Sequence, residues 1–187
     1  MDLFERLEAE HALIEAVTVA LDEFVQSFGE SGAVNLHELI RFLTFLRGYA
    51  GGLHHEREET VLLPTLALAG FPLESGPLAH IRDQHQEEGR LLLDIAKAAC
   101  ALEPWALPQA LRVASAARAF SDFERTHMAK ERELFFPVAR KELARHAEAL
   151  ASAIDRFESR VYRFGGGWME QLGRELVAGH PSRRARG

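Results

Sequence analysis

The sequence is poor in most features that would place a chain outside the cell, in a membrane or on nucleic acid. A single cysteine, Cys100, stands in 187 residues. It rules out an intramolecular disulfide and suits a reducing compartment, so a cytoplasmic location is the expectation. No apolar run approaches the roughly 18 residues that a membrane-spanning helix needs. The opening Met1-Asp2-Leu3-Phe4-Glu5-Arg6 does not have the form of a signal peptide, and no membrane partner is expected. Positive charge is in deficit: 22 Lys and Arg against 28 Asp and Glu give a formal net charge of −6. That balance argues against nucleic acid as a partner; only the tail Arg183-Arg184-Ala185-Arg186 is basic. Period-two alternation is absent too, so no strand is expected.

What is present is helical. Apolar residues make up 47% of the chain, enough for one compact core. Leu3, Leu7, Ile14, Val17, Leu21, Phe24 and Phe28 recur at helical spacing over residues 2–28, and His11 falls on the same stripe. Asn35 and Glu38 read as a capping box that opens a second helix. Its stripe runs Leu39, Leu43, Leu46, Ala50, His54, Glu58, Val61 and Thr65 to an end near Gly70, with a kink expected at Pro64. Ser75-Gly76-Pro77 introduces a third helix, with His85 on the stripe of Leu78, Ile81, Leu92 and Ile95. After a linker around Glu103 to Pro108, a fourth helix carries Ala116, Phe120, Phe123, His127, Glu131, Leu134 and Val138, with Pro137 near its end. Residues 142–163 and 168–178 read as further helices, separated by Gly165-Gly166-Gly167, and a disordered tail is expected from His180. The expected fold is all-α: an up-down-up-down four-helix bundle with a C-terminal helical extension.

An internal repeat organises this pattern. His54-His55-Glu56-Arg57-Glu58 through Pro64 aligns with His127-Met128-Ala129-Lys130-Glu131 through Pro137. In both, a His stands ten residues before the proline and a Glu six before it, and a further His, His11 or His85, lies about forty residues upstream. On a helix the His-x-x-x-Glu spacing puts both side chains on one face. Each of the four helices thus buries one His, and two also bury a Glu. A buried carboxylate without a partner costs several kcal/mol, so two at matching positions call for a neutralising cation. Imidazole and carboxylate ligands without thiolates suit iron or manganese, with zinc as an alternative. Two carboxylates shared between repeated halves suggest two metal ions bridged by Glu58 and Glu131.

These residues resemble the hemerythrin family, specifically its bacterial hemerythrin-like (HHE cation-binding) branch. The resemblance rests on Glu10-His11, on His54 to Pro64, on Asp83 to Arg90 and on His127 to Pro137. It covers about residues 1–160, leaving 161–187 as a short helix and basic tail. It implies a four-helix bundle with two non-haem iron ions held by His11, His54, Glu58, His85, His127 and Glu131. It also implies binding or sensing of O2 or a related molecule such as NO or peroxide, with a binding role ahead of an enzymatic one. Oxygen carriers of that family use five His, two of them one turn apart on the third helix; here the positions one turn from His85 are Ile81 and Gly89. The candidates for an additional ligand are His55 and His80. A shortage of ligands would favour redox or sensing chemistry over stable O2 carriage. The competing class is a ferritin-like di-iron oxidase or iron-handling protein built on Glu8-x-x-His11 and Glu124-x-x-His127. His37, His146 and His180 read as surface residues, Glu56, Glu59, Glu87, Glu88 and Glu133 as a solvated face from which one member orients a ligand His, and Cys100 as buried or inert.

Overall fold

The computed structural model describes residues 2–31, 35–100, 107–163 and 166–182. Most of the expected linker before Pro108, Gly165 and the Arg-rich end of the tail lie outside them. Helix α1 is Leu3–Ser31. Helix α2 (residues 36–68) begins as an α-helix, Leu36–Phe45, widens into π-helical turns over Leu46–His55 and Glu58–Leu62, and closes as Leu63–Leu68. Helix α3 is Gly76–Ala99. Helix α4 (residues 107–143) runs Leu107–Lys130, a π turn Glu131–Phe135, then Phe136–Leu143. A short 3₁₀ turn leads into α5, Ala147–Arg163, and α6 is Gly166–Gly179. Helices α1 to α4 form the four-helix bundle. Helix α5 lies against the second half of α2, and α6 against α1 and the first half of α2.

The helix starts follow from local chemistry. Asp2 and Glu5 cap α1 reciprocally: the Glu5 N–H donates to Asp2 Oδ1 at 2.8 Å and the Asp2 N–H to Glu5 Oε2 at 2.9 Å. At α2 the Glu38 N–H donates to Asn35 Oδ1 at 3.1 Å.

At Pro64 the expected kink takes the form of a π turn immediately upstream, and a second π turn precedes Pro137. A proline inside a helix has no N–H, and its ring crowds the carbonyl four residues back. The chain answers by widening. The residue before each proline donates five residues back, Leu63 N–H to the Glu58 carbonyl and Phe136 N–H to the Glu131 carbonyl. The repeated Glu-x5-Pro spacing therefore builds a π turn that starts on each candidate ligand. The wider turn also shifts the register. Leu134 and Val138, expected on the buried stripe, are 68% and 49% exposed, while Phe136 and Ala139 are buried in their place. Earlier in α4 the buried stripe runs through Val113, Ala114, Ala117 and Phe120, with Ala116 and Phe123 at its edge.

Two apolar clusters make up the core. One gathers Ile14, Val17, Leu21, Phe24, Phe42, Leu46, Leu92, Ile95, Val113 and Phe120; the other gathers Leu3, Leu7, Val61, Leu66, Leu78, Ile81, Phe136 and Ala139. Each bundle helix passes from one to the other, and at each crossing stands a His. His11 lies between Leu7 and Ile14, His54 between Ala50 and Val61, His85 between Ile81 and Leu92, and His127 between Phe120 and Phe136. A layer of polar side chains is thereby sealed on both sides by hydrocarbon.

The extension is packed against the bundle. A Cβ on Gly173 would fall 2.5 Å from the Phe45 ring, so only glycine lets α6 approach this closely. His180, expected in a disordered tail, instead contacts the Phe24 and Phe42 rings, with Nε2 3.0 Å from Glu38 Oε1. Cys100 is exposed rather than buried, because it caps the C-terminus of α3.

Candidate metal centre

Six expected residues converge in the sealed layer, and a seventh joins them. Ligand-type atoms of His11, His54, Glu58 and Glu131 lie within 4.8 Å of one another, and so do those of His55, Glu58, His85 and His127. Glu58 belongs to both groups. Glu131 reaches across them: Oε2 is 3.1 Å from His11 Nε2, and Oε1 is 3.4 Å from His127 Nε2 and 3.9 Å from His85 Nε2. Glu58 Oε2 is 3.2 Å from His85 Nε2 and 4.0 Å from His54 Nε2.

The π turn explains His55. In an α-helix of 3.6 residues per turn, neighbouring side chains diverge by about 100°, so of His54 and His55 only one would face the core. Both lie within the π-helical stretch Leu46–His55, whose wider turn reduces that divergence, and both are buried. His55 stacks on His85 with centroids 3.9 Å apart and planes 11° apart. His80 is exposed and belongs to neither group.

Most of the remaining ring nitrogens are held from outside. His54 Nδ1 meets Glu10 Oε2 at 3.0 Å, and His127 Nδ1 meets Gln84 Oε1 at 3.2 Å. This preserves the repeat: the residue before the first His of each unit orients the second His of that unit. His85 Nδ1 meets Glu59 Oε1 at 2.8 Å, the orienting role expected of one acidic residue in that group. Glu10 is buried and neutralised by Arg57, whose Nη2 donates to Glu10 Oε1 at 2.8 Å. Arg57 in turn pairs with Glu158 of α5 and lies over the Phe157 ring at 4.6 Å. His11 has no orienting hydrogen bond; it stacks on Phe136 at 5.4 Å.

The donor atoms aimed inward are orphans. Nε2 of His11, His54, His55, His85 and His127 and both carboxylate oxygens of Glu58 and Glu131 are buried without hydrogen-bond partners. Buried polar atoms are normally paired; imidazole nitrogens and carboxylate oxygens that converge without aligned hydrogen bonds fit a cation. Electrostatics agree. Burial, reinforced by Glu131, pushes Glu58 up to about 8. Burial alone would raise Glu131 as well, but the neighbouring rings of His127, His11 and His85 hold it well below the usual carboxylate range. Burial keeps His54 and His55 neutral and takes His127 down to about 3. Burial opposes the charge on His85, but Glu131, Glu58 and Glu59 outweigh it and raise that ring well above its ordinary value.

A cavity of about 480 Å³ reaches this layer from the side. Its wall is mainly apolar, with Leu66, Ile81, Leu134, Phe135 and Val138, and it touches Glu131 and Gln84. Leu134 and Val138 are thus cavity lining rather than core.

Two residues, Glu88 and Arg57, escaped the sequence reading, and a third, Glu124, entered it only through the ferritin-like alternative. Glu88, assigned there to the solvated face, is 1% exposed and its Oε2 lies 2.9 Å from His55 Nδ1. Glu124 is fully buried beside it. Arg57 is a buried cation in a stretch that reads as charged surface. Glu88 follows His85 by three residues and Glu124 precedes His127 by three, so helical spacing from a seam His was the available signal.

Five imidazoles and two shared carboxylates, sealed between two apolar clusters, define a histidine–carboxylate cation-binding bundle. The chain belongs to the hemerythrin HHE cation binding domain family, whose model matches residues 2–139. Searches of curated proteins and of solved structures find no match to it. Helices α5 and α6 lie beyond the matched residues. No helix among the described residues is long and apolar enough to cross a membrane.

Proposed function

We propose that this chain is a non-haem di-iron protein that binds or senses O2 or a related small molecule such as NO or peroxide. The observation that carries the reading is the pair of four-residue donor groups sharing Glu58, with their inward atoms unpartnered. His11 and His54 would hold one ion and His85 and His127 the other, with Glu58 and Glu131 between them and His55 as an additional donor; manganese or zinc would fit the same donors. Bound iron supplies the redox and small-molecule affinity that no side chain here has.

The protein's own contribution is to orient, neutralise and exclude. Glu10, Gln84 and Glu59 fix the ring orientations, so the donors need little rearrangement on binding. Glu58 gives up its proton on loading, which makes uptake proton-coupled. The apolar cavity beside Glu131 admits a small, weakly polar molecule while the two clusters keep bulk water out. The ferritin-like alternative has less support: of its two expected carboxylates Glu124 is buried beside His55 and Glu88, but Glu8 is on the surface 3.7 Å from Arg140.

The test is metal analysis of protein grown with iron, followed by absorption spectra of the reduced form before and after O2. About two irons per chain and a reversible oxygen-dependent band support the proposal. Irreversible oxidation moves the function to redox or iron-handling chemistry, and full metal content in His54→Ala and His127→Ala variants refutes the site.

A further inference from the structure

Beside the proposed pair lies a third donor group that the pair does not need. His55 of α2, Glu88 of α3 and Glu124 of α4 bring ligand-type atoms within 4.8 Å of one another. Glu124 is fully buried, and neither of its oxygens has a hydrogen-bond partner. Glu88 is 1% exposed; its Oε2 approaches His55 Nδ1 at 2.9 Å, yet neither Glu88 oxygen makes an aligned hydrogen bond. The Ser121 hydroxyl, one turn before Glu124, is also buried and unpartnered.

Glu10 shows how this chain neutralises a buried carboxylate that lies outside the ion-binding groups: it places the Arg57 guanidinium 2.8 Å away. Among the described residues, no Lys or Arg is paired with Glu88 or Glu124. Two adjacent carboxylates in hydrocarbon surroundings without a cationic side chain are costly. Two oxygens and an imidazole nitrogen are, however, a donor set that divalent first-row ions accept.

We propose that His55, Glu88 and Glu124 form a third divalent-cation site, next to the pair and separately filled. This rests on the pair proposed above. A neutral imidazole has one lone pair, so His55 serves either the pair or the third ion at a given moment. With His11, His54, His85 and His127 holding the pair, His55, whose Nδ1 already faces Glu88, is free to give its lone pair to the third ion. It is thus the residue through which an ion passes between the two places, and the third site is a point of loading or release. Its affinity is lower than that of the pair, because it has fewer donors.

The experiment is an anaerobic titration of the metal-free full-length protein with Mn(II), chosen because it resists oxidation. Free Mn(II) is followed by electron paramagnetic resonance. Wild type is expected to take up two ions tightly and a third more weakly. Glu124→Gln, a near-isosteric change, is expected to lose the third and keep the two. Wild type that stops at two overturns the third site and leaves the pair standing, with Glu88 acting only to orient His55. One ion or none overturns the pair, and this inference with it. Should circular dichroism show that Glu124→Gln does not fold, Glu88→Gln carries the comparison. Three ions retained in the variant that folds overturns the assignment.

Discussion

Replacing Glu58 with glutamine is expected to stabilise the metal-free protein and destabilise the loaded one. In the metal-free fold Glu58 titrates at about 8, against 4.5 for a free side chain. Folding at pH 7 therefore forces a proton onto it. At 1.36 kcal/mol per pH unit between 4.5 and 7, that costs about 3 kcal/mol. Because the folded value is raised, the side chain is cost-free below 4.5, and stability is lost as pH rises through 8. Glutamine resembles the protonated acid and has no such cost. Glu58→Gln should therefore raise the melting temperature of the metal-free protein at pH 7 by roughly 6–12 °C, taking 2–4 °C per kcal/mol for a chain of this size. At pH 5 the gain should fall below about 1 kcal/mol by the same arithmetic. With metal the order inverts. Wild type gains about 4 kcal/mol at a thousandfold excess over Kd, whereas the variant has lost the carboxylate shared by both donor groups. Thermal unfolding followed by circular dichroism, with chelator and then with Fe(II) or Mn(II), measures both arms. A metal-free variant less stable than wild type at pH 7, or an advantage that does not shrink at pH 5, would refute the reasoning.

Other outcomes follow from the same geometry. Arg57→Leu strands the buried Glu10 carboxylate behind His54 and should cost about 3 kcal/mol or more. It should also speed metal release to a chelator, which a variant affecting stability alone would not do once compared at equal fraction folded. Gly173→Ala drives a methyl group into the Phe45 ring and should cost about 1–3 kcal/mol in chemical denaturation, with metal stoichiometry unchanged because the contact lies in the apolar cluster away from the donor layer. Loading the metal-free protein should release more protons at pH 6.5 than at pH 9, by about one per chain from Glu58, which is mostly protonated below 8 and mostly ionised above it. Titration calorimetry in buffers of different ionisation enthalpy reads that difference, and equal release at both pH values would contradict the raised Glu58.

The sequence by itself determined the bundle and most of the His and Glu side chains that gather at its centre. Helical periodicity is a local property, so the stripes on α1 to α3 and the His and Glu they carry were legible one helix at a time. Alignment on Pro64 and Pro137 then tied the two halves together. Regular periodicity failed where the backbone left the α-helical period. The π turn after Glu131 moved Leu134 and Val138 out of the core, and the one ending at His55 brought that ring inward, while His80, on an unbroken α-helix, stayed outside. Tertiary structure alone decided the partners of the remaining ring nitrogens. Glu10 meets His54 across 44 residues, Gln84 meets His127 across 43, and Glu158 meets Arg57 across 101. It alone decided that Glu88 and Glu124 face each other in the interior. A charged residue on a helix is buried or solvated according to what the neighbouring helix places opposite it, and a single helix's pattern does not contain that information.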